Sequence, residues 1–135
     1  PMEFPAIADL DVVLALREGA KRLGLRHHCG VSQSKDSFYG EVERTRMPMA
    51  DELGARWKAF IAGGAVCSEM ESAALFIISA IQRKRAGGVM LVINESDLAE
   101  VAEEDADKHM NEFDADRVIK VAVEALKILI QKDKS

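Results

Sequence analysis

Ala65-Val-Cys-Ser-Glu-Met-Glu-Ser-Ala-Ala-Leu-Phe-Ile-Ile-Ser-Ala-Ile81 carries the clearest statement of architecture in the chain, because its residue preferences change partway along. Ala65 to Ser68 is short and suits a strand. From about Met70 to Lys84 the apolar residues lie nearly all round a helical wheel, which predicts a helix buried in the interior. A strand that runs straight into a buried helix is the repeating unit of layered α/β folds.

The flanking segments follow the same alternation. Gly63-Gly64 close a helix predicted over Ala50 to Ile61, with Leu53, Trp57 and Phe60 or Ile61 turned inward. Before it, Lys35 to Pro48 has no period and reads as a long loop of the kind that carries function. Arg26 to Ser34 reads as a strand, with Gly30 marking a close backbone approach. Ala8 to Leu23 repeats Leu10, Val13, Leu14, Leu16, Ala20 and Leu23 at helical spacing, with Asp9 as N-cap and Gly24 as stop. Downstream, Arg83-Lys84-Arg85 suit a helix C-terminus, and Gly87-Gly88 turn the chain. Val89 to Ile93 is a continuous β-branched run typical of a strand covered on both faces. Between Glu95 and Asp107 there are seven acids and no Lys or Arg, an exposed connection. A final helix, Asp114 to Lys132, places Val118, Val121, Ala122, Ala125, Leu126, Leu129 and Ile130 on one stripe. The expected fold class is α/β, a layered sheet with helices on both faces, in one domain over 1–135. Three short strands make a narrow sheet for so much apolar helix, so further chain or a partner is expected to complete it.

Composition narrows the function. The chain has 135 residues, 48% hydrophobic and 30% charged, which is one globular domain's worth. With 18 Lys and Arg against 23 Asp and Glu, the net charge is −5, which argues against a nucleic-acid partner. No apolar run approaches the roughly 20 residues of a membrane span, and no secretory leader pattern opens the chain. Cys29 and Cys67 lack a CxxC spacing and are expected as free thiols, which points to a cytoplasmic home. No metal site is expected: strand alternation sends His28 to the face opposite His27 and Cys29.

Ligands of α/β folds bind beyond the carboxyl ends of the strands, and the densest polar cluster there is Ser68-Glu69-Met70-Glu71-Ser72. Two readings of its carboxylates stand side by side. Acids favour the positive end of a helix dipole whatever else they do. A carboxylate also only accepts hydrogen bonds, through two oxygens, so it matches the vicinal diol of a ribose, and the thioether of Met70 would pack softly on the sugar.

Gly30-Val-Ser-Gln-Ser-Lys-Asp-Ser-Phe-Tyr-Gly40, taken with Ser68-Glu-Met-Glu-Ser-Ala-Ala74 and the opening Pro1-Met-Glu-Phe-Pro-Ala-Ile-Ala-Asp9, resembles the second half of the uridine phosphorylases of the nucleoside phosphorylase family. The resemblance covers nearly the whole chain. It implies reversible phosphorolysis of a ribonucleoside, uridine favoured and purine nucleosides the alternative, with inorganic phosphate as co-substrate and no organic cofactor. It also implies that Glu71 holds the ribose hydroxyls, Met70 lines the sugar pocket, Glu69 lies beside sugar and phosphate, and Phe38 packs against sugar and base. Glu41 stands where such enzymes usually offer a Gln to the base, and Arg46, or Arg44, would supply the donor fork. Glu95 falls near the acid that protonates a departing purine in purine-specific members; the residues alone read it as a solvated loop residue. The family's phosphate-binding residues lie in its first half, so this chain is expected to be part of a longer polypeptide or to pair with that half. Family members form ring-like assemblies, so a homo-oligomer is expected; the rival is a catalytically silent nucleoside-binding or assembly fragment.

Overall fold

The computed structural model describes residues 3–93 and 114–134. Its elements run α1 (Leu10–Arg22), β1 (Val31–Ser34), α2 (Tyr39–Val42), a 3₁₀ turn (Arg44–Arg46), α3 (Ala50–Ala62), β2 (Ala65–Glu69), α4 (Ser72–Ile81) and α5 (Asp116–Lys132). Helices alternate with short parallel strands, the α/β pattern read from the sequence. The described residues fall into two compact units: 3–29, 71–91 and 115–134 in the first, and 30–70 with 92–93 and 114 in the second.

In the first unit α1 packs against α5. Asp9 caps α1 as anticipated, its side chain accepting from the Val12 N–H at 3.1 Å. Gly24, with φ +66°, takes the left-handed turn just past the helix end. Ala15, Ala125 and Leu129 form the buried cluster, with Val12, Leu16 and Ile128 around it. The helices approach closely because Gly19 has no side chain: a Cβ there would stand 3.1 Å from the Val121 carbonyl oxygen. Exposed ion pairs edge the contact, Lys132 with Asp11 at 2.6 Å and Arg22 with Glu124 at 3.3 Å, worth little each in water.

In the second unit β1 pairs in parallel with β2, aligning Val31 with Ala65, Ser32 with Cys67, Gln33 with Ser68 and Ser34 with Glu69, with an irregularity after Val31. Both carboxyl ends therefore lie at the same end of the sheet. Gly30 does permit the close approach expected of it, since a Cβ would fall 2.7 Å from a Val66 methyl. α3 covers the face that carries Gln33 and Ser68.

Four expectations need correction. The strand predicted from Arg26 begins only at Val31. Lys35 to Pro48 is not one loop: it winds into α2 and a 3₁₀ turn, started by a hydrogen bond from the Gly40 N–H to Ser37 Oγ at 3.0 Å. Such single turns are too short to show a period. No strand is assigned over Val89 to Ile93 among the described residues, and Val92 and Ile93 stay exposed; a central strand exists only with a ladder neighbour. Lastly, α4 is not buried all round, for Leu75, Ile78 and Ile81 are each about half exposed or more, at 48%, 60% and 68%. Its interior composition exceeds the cover that the described chain supplies.

Candidate functional site

Strand alternation sorts the polar residues at the carboxyl ends of β1 and β2 onto two faces. Ser32, Ser34, Cys67 and Glu69 share one face. There the Glu69 carboxylate accepts hydrogen bonds from Ser32 Oγ at 3.1 Å and from Ser34 Oγ. The serines of one strand thus orient the last carboxylate of the other, and the Lys35 N–H extends the pairing by donating to the Glu69 carbonyl at 2.9 Å. Burial, then the nearby Glu69 charge, pushes the Cys67 thiol up from its ordinary value, which disfavours the thiolate a nucleophile would need.

Gln33 and Ser68 share the opposite face, and around them lies a second constellation. Lys35 Nζ meets the Glu41 carboxylate at 2.7 Å, with side-chain exposures of 11% and 9%. Ser68 Oγ donates to Glu41 at 3.0 Å and accepts from Lys35 Nζ at 3.2 Å. The same ammonium stands 5.7 Å from the Phe38 ring centroid, and Phe38 meets Tyr39 edge to face with centroids 5.5 Å apart. A cavity of about 320 Å³ opens on this face, lined in part by Gln33, Lys35, Glu41, Arg44, Leu53 and Trp57.

The residues singled out from the sequence are thereby placed individually. Phe38 is half exposed beside Lys35. Glu41, expected to meet the base of a nucleoside, has its carboxylate buried and paired with Lys35. Arg46 is exposed and bonded to Glu43. Glu69 is oriented by Ser32 and Ser34, and Met70 after it is exposed. Glu71 is the N-cap residue of α4, with φ −124° and an exposed side chain; its carbonyl accepts from the Leu75 N–H at 3.1 Å, the first turn of that helix. Glu95 lies outside the described residues.

Glu69 and Glu41 are therefore brought to the same sheet end but onto different faces. Sequence reasoning did not find Lys35, Ser32, Ser34 or Gln33. The serines could have been found from their alternate spacing, which puts both on one face. Gln33 had no such signal: it lines the cavity, and its Oε1 is buried without a hydrogen-bond partner among the described residues. An acceptor so placed would take an N–H or O–H from water or from a ligand. Among the described residues no group of three or more His, Cys, Asp or Glu could hold a metal ion, and no helix is long and apolar enough to cross a membrane. Cys29 and Cys67 are not joined in a disulfide.

A family model described as the phosphorylase superfamily matches residues 1–131. The chain is 44% identical over 133 residues to a uridine phosphorylase of Treponema pallidum, covering 98% of this chain and 50% of that protein. It is 36% identical over 134 residues to a uridine phosphorylase of Klebsiella aerogenes, covering 96% and 51%. A purine nucleoside phosphorylase of Plasmodium falciparum matches more weakly, 28% over 90 residues and 67% of this chain. The chain thus spans about half the length of these two uridine phosphorylases. With nearly every residue matched and the parallel strands ending in the motif that prompted the resemblance, the chain belongs to the phosphorylase superfamily.

Proposed function

We propose that this chain supplies the sugar-holding part of an enzyme that cleaves ribonucleosides with inorganic phosphate, uridine before purine nucleosides. The observation that carries the proposal is the similarity to proteins named uridine phosphorylase along 96–98% of the chain, against a shorter and weaker match to a purine enzyme. In this reading a phosphate oxygen attacks the anomeric carbon, the glycosidic C–N bond breaks, and the base leaves with the bonding pair, giving free base and ribose 1-phosphate. No organic cofactor takes part.

The residue roles follow from what each group can do. Glu71 accepts from the ribose hydroxyls, and those hydrogen bonds strengthen as positive charge develops on the ring. Glu69, held by two serines, fixes the floor of the site beside sugar and phosphate; Met70 packs on the sugar, and Phe38 on sugar and base. Arg46 donates to the carbonyls of the base. Glu41, committed to Lys35 and Ser68, anchors the loop that presents Phe38. Glu95 serves as general acid only in the purine alternative. The cations that bind phosphate are contributed by the part of the relatives that this chain does not match. The reading carries with it a pentosyltransferase of pyrimidine salvage, cytoplasmic and homo-oligomeric.

Ultraviolet absorbance of uridine and of inosine, with and without phosphate, tests it. The expected result is phosphate-dependent loss of uridine, faster than inosine, once the chain is combined with the unmatched half of a relative. Glu71→Gln then lowers kcat by about 100-fold, as for loss of one transition-state hydrogen bond to a charged group, with the circular dichroism unchanged. Turnover untouched by that change would remove Glu71 from the sugar. Nucleoside binding without turnover would favour the silent fragment, and uridine cleavage by this chain alone would show that no other half is needed.

A further inference from the structure

Among the described residues, one buried side-chain polar atom goes without a hydrogen-bond partner, the Oε1 of Gln33. An unmet buried acceptor weakens a fold, so it marks a place where a partner arrives from outside. Gln33 stands opposite Ser68 in the β1–β2 register and lines the cavity of about 320 Å³ in the second unit. That volume falls at the lower end of small-molecule sites, which run from about 300 to 1,000 Å³. Leu53, Trp57 and Phe60, at helical spacing on α3, give the cavity its apolar lining, and an indole suits a flat ring. The terminal torsion of a glutamine is broad, so Oε1 turns toward an occupant without any movement of the backbone.

Glu41 borders the same cavity, but its carboxylate is already engaged, by Lys35 Nζ at 2.7 Å and by Ser68 Oγ at 3.0 Å. A carboxylate also accepts without donating. A carboxamide does both, from two atoms in one plane, and so pairs with a ring edge on which an N–H adjoins a carbonyl. Uracil has that edge, its N3–H lying between two carbonyls. The carboxamide that position 41 lacks is thus present on β1, at the same cavity.

We infer that Gln33 is a specificity-determining residue: its Oε1 accepts from N3–H of a uracil ring and its Nε2 donates to the adjoining carbonyl, with the ring lodged in the cavity beside Trp57. The inference deepens the proposed function, on which it rests for the class of base, and its test reads binding of the base alone, so the two fail separately.

The full chain is titrated with uracil and with N3-methyluracil into the millimolar range, following the fluorescence of Trp57, the chain's only tryptophan. Uracil is expected to change the emission saturably, and N3-methyluracil, which has no N3–H, to bind at least about tenfold more weakly. Gln33→Leu should weaken uracil by at least about tenfold and leave N3-methyluracil unchanged, closing the gap between the two; a merely structural role for Gln33 would weaken both alike. Replacing an unmet acceptor with an apolar group of similar size does not endanger the fold, and Gln33→Glu, which keeps the size but loses the donor, should also weaken uracil. Three results overturn the inference: no saturable response to uracil, equal affinity for the two bases in the unaltered chain, or a preference for uracil that survives Gln33→Leu. Phosphate-dependent uridine cleavage alongside any of these leaves the proposed function standing without Gln33. Uracil binding that depends on Gln33, without such cleavage, keeps the inference and removes the phosphorolysis.

Discussion

Replacing Lys35 with Met leaves the Glu41 carboxylate buried without its counter-ion, and the cost can be worked from the geometry. At 2.7 Å and an effective dielectric of about 20, the attraction between the two charges is roughly 6 kcal/mol. Desolvating both side chains consumes several kcal/mol of that, so the pair adds little net stability over an apolar pair of similar volume. Removing one partner is different, because the desolvation cost of the other remains. Such losses run at about 3–5 kcal/mol, and Ser68 Oγ still donates to Glu41 at 3.0 Å, so the lower end, about 3 kcal/mol, is expected. Trp57, the chain's only tryptophan, lies on α3 beside the same cavity and reports the transition. In urea, with a slope of about 1.5 kcal/mol per molar, the fluorescence midpoint should fall by about 2 M. The double variant Lys35→Met/Glu41→Leu should recover to within about 1 kcal/mol of the parent. A single variant costing under about 0.5 kcal/mol, with no coupling in the cycle, would show that the pair behaves as a solvated surface bridge and that Glu41 anchors nothing.

Three further outcomes follow from particular contacts. Leu129→Ala empties the centre of the α1–α5 contact and should cost about 3 kcal/mol, seen as a lower midpoint of helical circular dichroism; a loss below about 1 kcal/mol would mean the two helices do not pack as described. Asp9→Ala removes the bond to the Val12 N–H and should cost about 1 kcal/mol, with Asp9→Asn retaining most of it. Thiol titration with an aromatic disulfide near pH 8 should resolve a fast and a slow cysteine. Cys29→Ser should abolish the fast phase, because Cys67 is partly buried and its ionisation is pushed above the ordinary thiol range, first by burial and then by Glu69. A fast Cys67 would contradict its placement beside that carboxylate.

The sequence by itself determined the elements whose causes are local. α1 was legible from Asp9 to Gly24 because a cap, a repeat of three and four, and a left-handed stop are all written within one helix length. α3 and the strand-to-helix change at Glu69–Ser72 were legible for the same reason, and the motif there pointed to the family. Only the tertiary structure decided which face each residue occupies. Ser32, Ser34 and Glu69 are joined across 35 to 37 positions, and Ser68 and Glu41 across 27, by a strand register that no local period encodes. Leu126 and Ile130 looked like part of the core stripe that holds Leu129, yet α1 covers only one side of α5 and leaves them outside. A period states that a residue prefers burial; whether it is buried depends on the neighbour that arrives to cover it.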